Sequence, residues 1–399
     1  MNEHPELGYY DEGLDLVKPK LYAAATKPFG RAQILPLAAF RSKVFADLED
    51  EKVWTRTWVC IGTHQQVPNS GDLLPFTVGH HGIHVQRTKD GSLIGRFNRA
   101  QHGGCRSIPA QCRTGIKTKC SFTSCGYSRD REAIPGELTG EMAELGGQYL
   151  GDQPERLLPV KVDSWGPFIF VNLDNDCVPL AIQMKSLAKK LGPLCNDSLV
   201  LASQIRLEHD CNWKLSGSAF LENINLPFAG GSSAKTAVDA PDHMVQTLEL
   251  STDYPVRYPI LPPLFGFKPS QLRSARICWS FPNFLLVVMP NHVVSIILQP
   301  TATAATLARI SLFVNNSFDI DAHSAEIAGL ANIWKAALDD GATRGIERQQ
   351  QFSGWNAIAN RLPKEDSEAG YALQKFLVDR ILCEHKYVWS APLFSQPAR

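Results

Sequence analysis

The pattern of apolar and polar positions divides the chain into a β-rich first part and a mixed second part. Residues 44–58 place apolar side chains at helical spacing with charges between them, which predicts a helix. From residue 58 to 99 the pattern changes to short β-rich runs separated by turn signals at 69–72 and 89–91. This stretch predicts a small antiparallel β domain. A loop-rich segment with many Gly, Ser and Cys follows at 103–151.

Beyond the loop-rich segment, predicted strands alternate with a few helices. Further strands are predicted within 158–174, 199–212 and 243–315, where the apolar runs 284–290 and 293–298 indicate buried strands. Helices are predicted at 182–191, 324–338 and 367–382, and in the last two a serine is placed to cap the first turn. The predicted domains are an N-terminal arm at 1–46, a β domain at 47–175 and an α+β domain at 176–399.

Composition and charge exclude several classes of protein. A chain of 399 residues suits about two or three domains. Lys plus Arg and Asp plus Glu are 40 each, so there is no basic excess to attract nucleic acid or an anionic membrane. No apolar run approaches the roughly 20 residues that span a bilayer. The N-terminus lacks a secretory pattern, so we expect a cytoplasmic protein whose ten cysteines form no disulfides.

Three segments in register resemble the large (alpha) subunit of Rieske-type non-haem iron oxygenases. They are 58–99, with its Pro…Gly-Asp turn and Lys-Asp-Gly hairpin; 157–173; and 211–227, which begins Cys-Asn-Trp-Lys. The resemblance covers roughly residues 40–399. It implies an α+β fold in which a small antiparallel β Rieske-like domain is inserted beside a helix-grip (START-like) α+β catalytic-type domain. It also implies an assembly based on trimers.

The motif that holds a Rieske 2Fe–2S cluster is degenerate in this chain. The family uses a Cys-x-His pair and a later Cys-x-x-His pair, with thiolates on one iron and imidazoles on the other. The first pair aligns with 98–104, where His102 is retained and the cysteine position is Ala100. Two registers remain open for the second pair, one with Cys120 and Thr123 and the other ending at Cys125. Neither register gives Cys-x-x-His, so we expect no intact cluster.

A structural zinc site is an alternative use of the same region. Zinc takes four Cys or His ligands in tetrahedral geometry. The possible ligands are His102, Cys105, Cys112, Cys120 and Cys125. Their spacing is not a familiar zinc pattern, and these cysteines would otherwise pack as small apolar side chains.

The mononuclear iron motif is degenerate as well. In the family two His and one carboxylate hold this iron. The chain aligns without a gap over 212–231, and the two His positions are Asn225 and Gly230. The third ligand would lie near 338–342, at Asp339 or Asp340. Glu222 stands where the family keeps the carboxylate that links the cluster of one subunit to the iron of its neighbour, and we expect no mononuclear iron.

The other histidines give no replacement site. His209 is predicted to lie on a strand, and lone histidines of this kind are more often hydrogen-bonded structural groups than ligands. His80, His81 and His84 are predicted to flank a turn at Gly82 and to face solvent.

Three functions are compatible with these residues. The first is a non-catalytic alpha-like subunit (a pseudoenzyme) that assembles with an active Rieske oxygenase alpha subunit, in a trimer-based α3α'3-like hetero-oligomer. The second is an active oxygenase component with unusual metal ligands. The third is a small-molecule-binding module whose apolar pocket would use the aromatic side chains of Phe220, Phe228, Phe265, Phe267 and Phe284.

Overall fold

The computed structural model divides the chain into two compact units. One runs from Trp54 to Leu180, and the other joins Met1–Val53 to Ala181–Glu384. The sequence placed the corresponding boundaries at 47 and 175. The residues that the structure describes are 9–11, 13–97, 159–191, 198–228, 235–240, 242–251, 261–265, 272–354 and 362–383, with the backbone alone described in 223–228 and 235–240.

The unit from Trp54 to Leu180 is built on a six-stranded antiparallel sheet in the order β3-β8-β7-β6-β5-β4. Its strands are β3 Val59–Thr63, β4 Leu73–Val78, β5 His81–Arg87, β6 Leu93–Phe97, β7 Pro159–Trp165 and β8 Phe168–Asn172. Both predicted turns are present and use glycines in the left-handed region, Gly71 at φ +94° and Gly91 at φ +85°. The β domain that the sequence predicted is therefore confirmed.

One histidine prediction in this sheet is wrong. Gly82 lies within β5, and the turn that precedes this strand is at Gly79, where φ is +55°. His80 is exposed and His81 is partly buried, but His84 is completely buried. His84 pairs with Pro75 of the edge strand β4, and both neighbours of His84 along its own strand are also buried.

The other unit is built on a seven-stranded antiparallel sheet in the order β10-β11-β12-β13-β14-β15-β9. Its strands are β9 Leu199–His209, β10 Lys235–Ala240, β11 His243–Glu249, β12 Ser274–Ser280, β13 Phe284–Val288, β14 Val293–Ala302 and β15 Ala305–Asn315. The buried runs predicted at 284–290 and 293–298 are β13 and most of β14. A two-stranded ribbon precedes them, formed by β1 Tyr10–Asp11 and β2 Leu14–Asp15.

The described part of the chain also contains α-helices. They are α1 Ala38–Arg41, α2 Lys43–Glu49, α3 Leu180–Gln183, α4 Lys185–Leu191, α5 Trp213–Phe228, α6 Ser324–Ser353 and α7 Glu368–Ile381. Ser367 caps α7 as predicted, since its side chain accepts a hydrogen bond from Gly370 N. The predicted α+β fold class is thus confirmed. Among the described residues no helix has both the length and the apolarity that crossing a membrane requires.

Two helix predictions need correction. The helix predicted at 44–58 is α2, which continues only as a π-helical turn at Asp50–Trp54. The helix predicted at 324–338 does not end there, because α6 continues to Ser353. Its N-cap is His323 without a side-chain cap, so the predicted serine cap is wrong. The helix continues through Gly341 and Gly345 because both glycines pack closely against other residues, as described below.

Candidate functional site

The start of α5 is fixed by Asn212. Its side-chain Oδ1 accepts a hydrogen bond from Lys214 N at 3.1 Å, which caps the helix. Its backbone N donates to Gln349 Oε1 at 3.0 Å, and its Nδ2 donates to Thr303 O at 2.6 Å. One side chain and its backbone therefore join α5 to α6 and to the turn between β14 and β15.

The next two residues, Trp213 and Lys214, contact the buried carboxylate of Glu49. Lys214 Nζ lies 2.6 Å from Glu49 Oε1 on α2, and the two side chains are only 1% and 4% exposed. Trp213 Nε1 donates to Glu49 Oε2 at 3.3 Å. The Lys214 ammonium also lies 5.1–5.7 Å from the ring centroids of three aromatic residues, namely Trp213, Phe40 and Phe45. Burial raises the pKa of the Glu49 carboxyl above its ordinary value, and the nearby Lys214 opposes that shift.

Helices α5 and α6 approach each other closely through glycines. A Cβ at Gly341 would lie 2.9 Å from Phe220 Cδ1 and 3.1 Å from Ala219 O. One turn later, a Cβ at Gly345 would lie 3.0 Å from Cys211 Sγ. At these two positions α6 presents no side chain to its neighbours, which lets the two helices pack closely there.

The carboxylate at the family's bridging position has a partner in its own chain. Arg348 on α6 donates from Nη1 to Glu222 Oε1 at 3.1 Å and from Nη2 to Glu222 Oε2 at 3.0 Å. Burial alone would lower the pKa of Arg348, but the attraction of Glu222 outweighs it and the net direction is upward. Both side chains are only partly exposed, at 28% and 22%. Such a two-point contact between a guanidinium and a carboxylate is the strongest form of this ion pair.

The positions assigned to the iron ligands offer few donors. Asn225 lies on α5, where the structure describes the backbone, and Gly230 lies outside the described residues. Asp340 is exposed, while its neighbour Gly341 faces α5. Asp339 is about half-exposed and is paired with Lys335 one turn earlier on α6, at 2.6 Å. Its charge also acts on the buried His209, where it partly opposes the lowering of the pKa by burial.

The histidines near this region are hydrogen-bonded structural groups. His209 ends β9, as the sequence predicted, and burial lowers its pKa to about 4. Its Nδ1 lies 3.1 Å from Ser216 Oγ, and its ring packs edge-on against Phe220. His292 is completely buried, and its Nε2 accepts a hydrogen bond from Trp334 Nε1 at 2.9 Å.

The residues assigned to the Rieske cluster and to zinc cannot be placed. Ala100, His102, Cys105, Cys112, Cys120, Thr123 and Cys125 lie outside the described residues. Within the described ranges, no group of three or more His, Cys, Asp or Glu side chains could hold a metal. Of the cysteines described there, Cys60, Cys211 and Cys278 are buried, Cys177 is partly exposed and Cys383 is exposed.

Three of the five aromatic residues proposed to line a pocket have side chains that the structure describes. Phe220 and Phe284 are buried in the core, and Phe265 is 53% exposed. Phe267 lies outside the described residues, as does the side chain of Phe228. A cavity of about 180 Å³ does exist, but its aromatic walls are Phe40 and Phe352. Sequence pattern could not identify these two, because they lie on helices at opposite ends of the chain.

Solved structures of known proteins share the fold of this chain. Naphthalene 1,2-dioxygenase with indole in its active site matches with a TM-score of 0.69 at 15% identity, covering 93% of this chain and 95% of that chain. The quaternary ammonium Rieske monooxygenase CntA in complex with gamma-butyrobetaine matches with a TM-score of 0.65 at 16% identity, covering 91% and 99%. The fold is that of the Rieske oxygenase large subunit.

Curated relatives agree with the fold. The oxygenase subunit of carnitine monooxygenase from Escherichia coli K12 is 20% identical over 310 residues, which are 76% of this chain and 79% of the relative. The large subunit of anthranilate 1,2-dioxygenase from Burkholderia cepacia is 25% identical over 203 residues, covering 49% and 46%. No family model matches the chain. The chain is thus a relative of Rieske-type oxygenase large subunits, and the resemblance noted in its sequence is confirmed.

Proposed function

We propose that this chain is a non-catalytic relative of the Rieske oxygenase large subunit, which assembles with an active large subunit and supports it. The observation that carries the proposal is the ion pair between Glu222 and Arg348. By resemblance, the Glu222 position connects the cluster of one subunit to the iron of the next. Here both of its carboxylate oxygens accept hydrogen bonds from an arginine of the same chain.

The residues at the aligned metal positions do not fit a mononuclear iron. Glycine at 230 has no side chain, and an asparagine at 225 is a poor replacement for imidazole. The candidate third ligands are turned to solvent or paired with Lys335. At the cluster, Ala100 offers a methyl group in place of a thiolate. We therefore propose that the chain holds neither a mononuclear iron nor an intact 2Fe–2S cluster, and a structural zinc at the cysteines of 105–125 remains part of the proposal.

The hydrogen bonds and ion pairs that position the helices near these sites support a structural role for the chain in an assembly. Asn212 still caps α5, and Lys214 still pairs with Glu49 in the core. Oxygenase subunits of this fold are expected to assemble symmetrically, so a copy without metal can use similar surfaces to join an intact one. The proposed assembly is a trimer-based hetero-oligomer of the α3α'3 type.

The test is the metal content of the purified full chain. Iron, zinc and acid-labile sulfide are measured per chain beside a visible absorption spectrum. We expect no stoichiometric iron or sulfide and no absorption in the visible range. Zinc alone would keep the proposal and assign the cysteines a structural role. Stoichiometric iron with sulfide would contradict it.

A second proposal is an active oxygenase component with unusual ligands. It is favoured by the relatives, which are described as subunits of a monooxygenase and a dioxygenase. This proposal requires ligands at positions other than Ala100, Asn225 and Gly230, and it predicts a coloured protein that contains iron. The same metal measurement therefore decides between the two proposals.

A further inference from the structure

The cavity of about 180 Å³ lies within the unit that joins Met1–Val53 to Ala181–Glu384. Its walls come from the segment around α1, the first turns of α5, the end of α6 and the start of α7. Phe40 and Phe352 form one apolar wall with their ring centroids 5.1 Å apart, and Leu215 and Leu373 add aliphatic surface. The rest of the lining is largely polar or charged, and concave sites that combine apolar walls with converging polar groups are typical of small-molecule binding.

Two of the cations that line the cavity already have anionic partners. Lys214 is paired with Glu49 at 2.6 Å, and Arg348 is paired with Glu222 at 3.0 Å. At the rim, Asp366 is 84% exposed and lies 3.9 Å from Arg348, and the exposed Lys364 adds a positive charge. The charges of these six side chains, three positive and three negative, therefore sum to zero.

Glu365 is the remaining charged group of the cavity wall. Its Oε1 accepts one hydrogen bond, from Ser367 N at 3.0 Å. Among the residues that the structure describes, it forms no ion pair with a cation. Burial raises the pKa of this carboxyl to about 7, and the Ser367 N–H and the more distant Arg348 only partly oppose that shift. Ionised Glu365 leaves the cavity with one net negative charge.

We propose that this cavity binds a small organic monocation, such as a primary alkylammonium, whose nitrogen donates to Glu365 and whose alkyl chain packs on Phe40 and Phe352. The ammonium would supply the counter-charge that Glu365 lacks, and the aromatic rings add a favourable face for a cation. The site uses none of the aligned metal positions, so the inference goes beyond the proposed function and does not depend on metal content.

An anionic ligand fits the same cavity poorly. The ammonium of Lys214 and the guanidinium of Arg348 both donate to carboxylates already. An anion would have to displace one of those carboxylates and would also approach Glu365. A partly buried carboxylate that loses its cation is destabilised, and this loss exceeds the stabilisation from the new contact between the cation and the anionic ligand.

The test is isothermal titration of the full chain with n-butylammonium at pH 8. We expect saturable binding at one site per chain, with no comparable binding of n-butanol or butyrate. Glu365→Gln keeps the shape of the side chain and removes its charge, so affinity should fall about tenfold or more. Glu368→Gln is the matched control, because Glu368 is exposed at the start of α7 and does not line the cavity, so its loss should leave affinity nearly unchanged.

The wild-type chain provides a second measurement that needs no variant. n-Butylammonium stays charged below pH 9, so its affinity should fall as Glu365 is protonated between pH 8 and pH 5.5. The other charged groups around Glu365 are Glu222, Arg348, Lys364 and Asp366, together with the Lys214–Glu49 pair. Absence of binding, equal binding by the Glu365→Gln variant, or preference for butyrate would each overturn the proposal.

Discussion

The Lys214–Glu49 ion pair joins two residues that are 165 positions apart, in a core that excludes water. Replacing one member of a buried pair leaves the other charge without compensation. We therefore expect Lys214→Met to lower the free energy of unfolding by about 3–5 kcal/mol, measured by chemical denaturation. Lys335→Met removes an exposed pair with Asp339 and should change stability by no more than about 0.5 kcal/mol. A Lys214→Met variant as stable as the control would show that this pair contributes little.

Glu365 should make the protein less stable as the pH rises. Its pKa is about 7 in the folded chain and near the ordinary 4.5 when unfolded, so the folded state binds more protons between these values. Stability therefore falls as pH rises from 4.5 to 7 and stays reduced above that. We expect Glu365→Gln to raise the free energy of unfolding at pH 8 by about 1–2 kcal/mol, with little effect near pH 4.5. Denaturation curves at both pH values check this, and a destabilised variant at pH 8 would contradict it.

Residue pairs such as these mark the limit of inference from sequence. The Asn-Trp-Lys motif was recognisable, and so was the acidic residue at 222. Their partners were not, because Glu49 and Arg348 are far along the chain and carry no local pattern. For Glu222 the alignment indicated the position of the carboxylate, but only the structure shows that Arg348 of the same chain donates to it.

At the scale of elements, the apolar periodicity predicted most strands because each β-rich run alternates or is wholly buried. The apolar periodicity did not predict helical residues where tertiary packing compensates for a low helix propensity. Helix α6 continues 15 residues beyond its predicted end at Leu338. The glycines at 341 and 345 that should weaken it are the residues that allow α5 to approach.

Three glycines of α6 give a direct test of that explanation. At Gly341 an added Cβ would meet Phe220 at 2.9 Å, whereas at Gly329 it would meet nothing within 4 Å. We expect Gly341→Ala to destabilise the chain by about 1–3 kcal/mol through overpacking. Gly329→Ala in the same helix should stabilise it by about 0.5–1 kcal/mol through helix propensity. Gly345→Ala should be destabilising like Gly341→Ala. Thermal unfolding of the three variants measures these effects, and stabilisation of all three would refute the explanation.

At the scale of the whole molecule, sequence identified the fold more easily than the chemistry. The fold depends on a distributed pattern of strands, turns and core residues, which tolerates 15–20% identity with the relatives. The chemistry depends on a few positions, and one substitution at each is enough to remove a ligand. The cysteine-rich stretch has no repeating pattern, and its spacing leaves two registers open.

The last prediction concerns assembly. The chain retains the framework of an oxygenase subunit while its aligned ligand positions hold Ala100, Asn225 and Gly230. We therefore expect this chain to function mainly in a complex with a large subunit that binds its metals. Co-expression of the tagged chain with intact Rieske large subunits from its own source, followed by native mass spectrometry, should give a mixed complex whose chain count is a multiple of three.

Two comparisons make that assembly experiment decisive. An intact large subunit from an unrelated source should not join the complex, because a shared fold at such low identity does not preserve matching interface side chains. Iron in the mixed complex should be proportional to the intact subunit alone. A chain that stays monomeric beside every intact subunit from its own source would refute the proposed supporting role. Iron that instead increases with the number of copies of this chain would favour the active alternative.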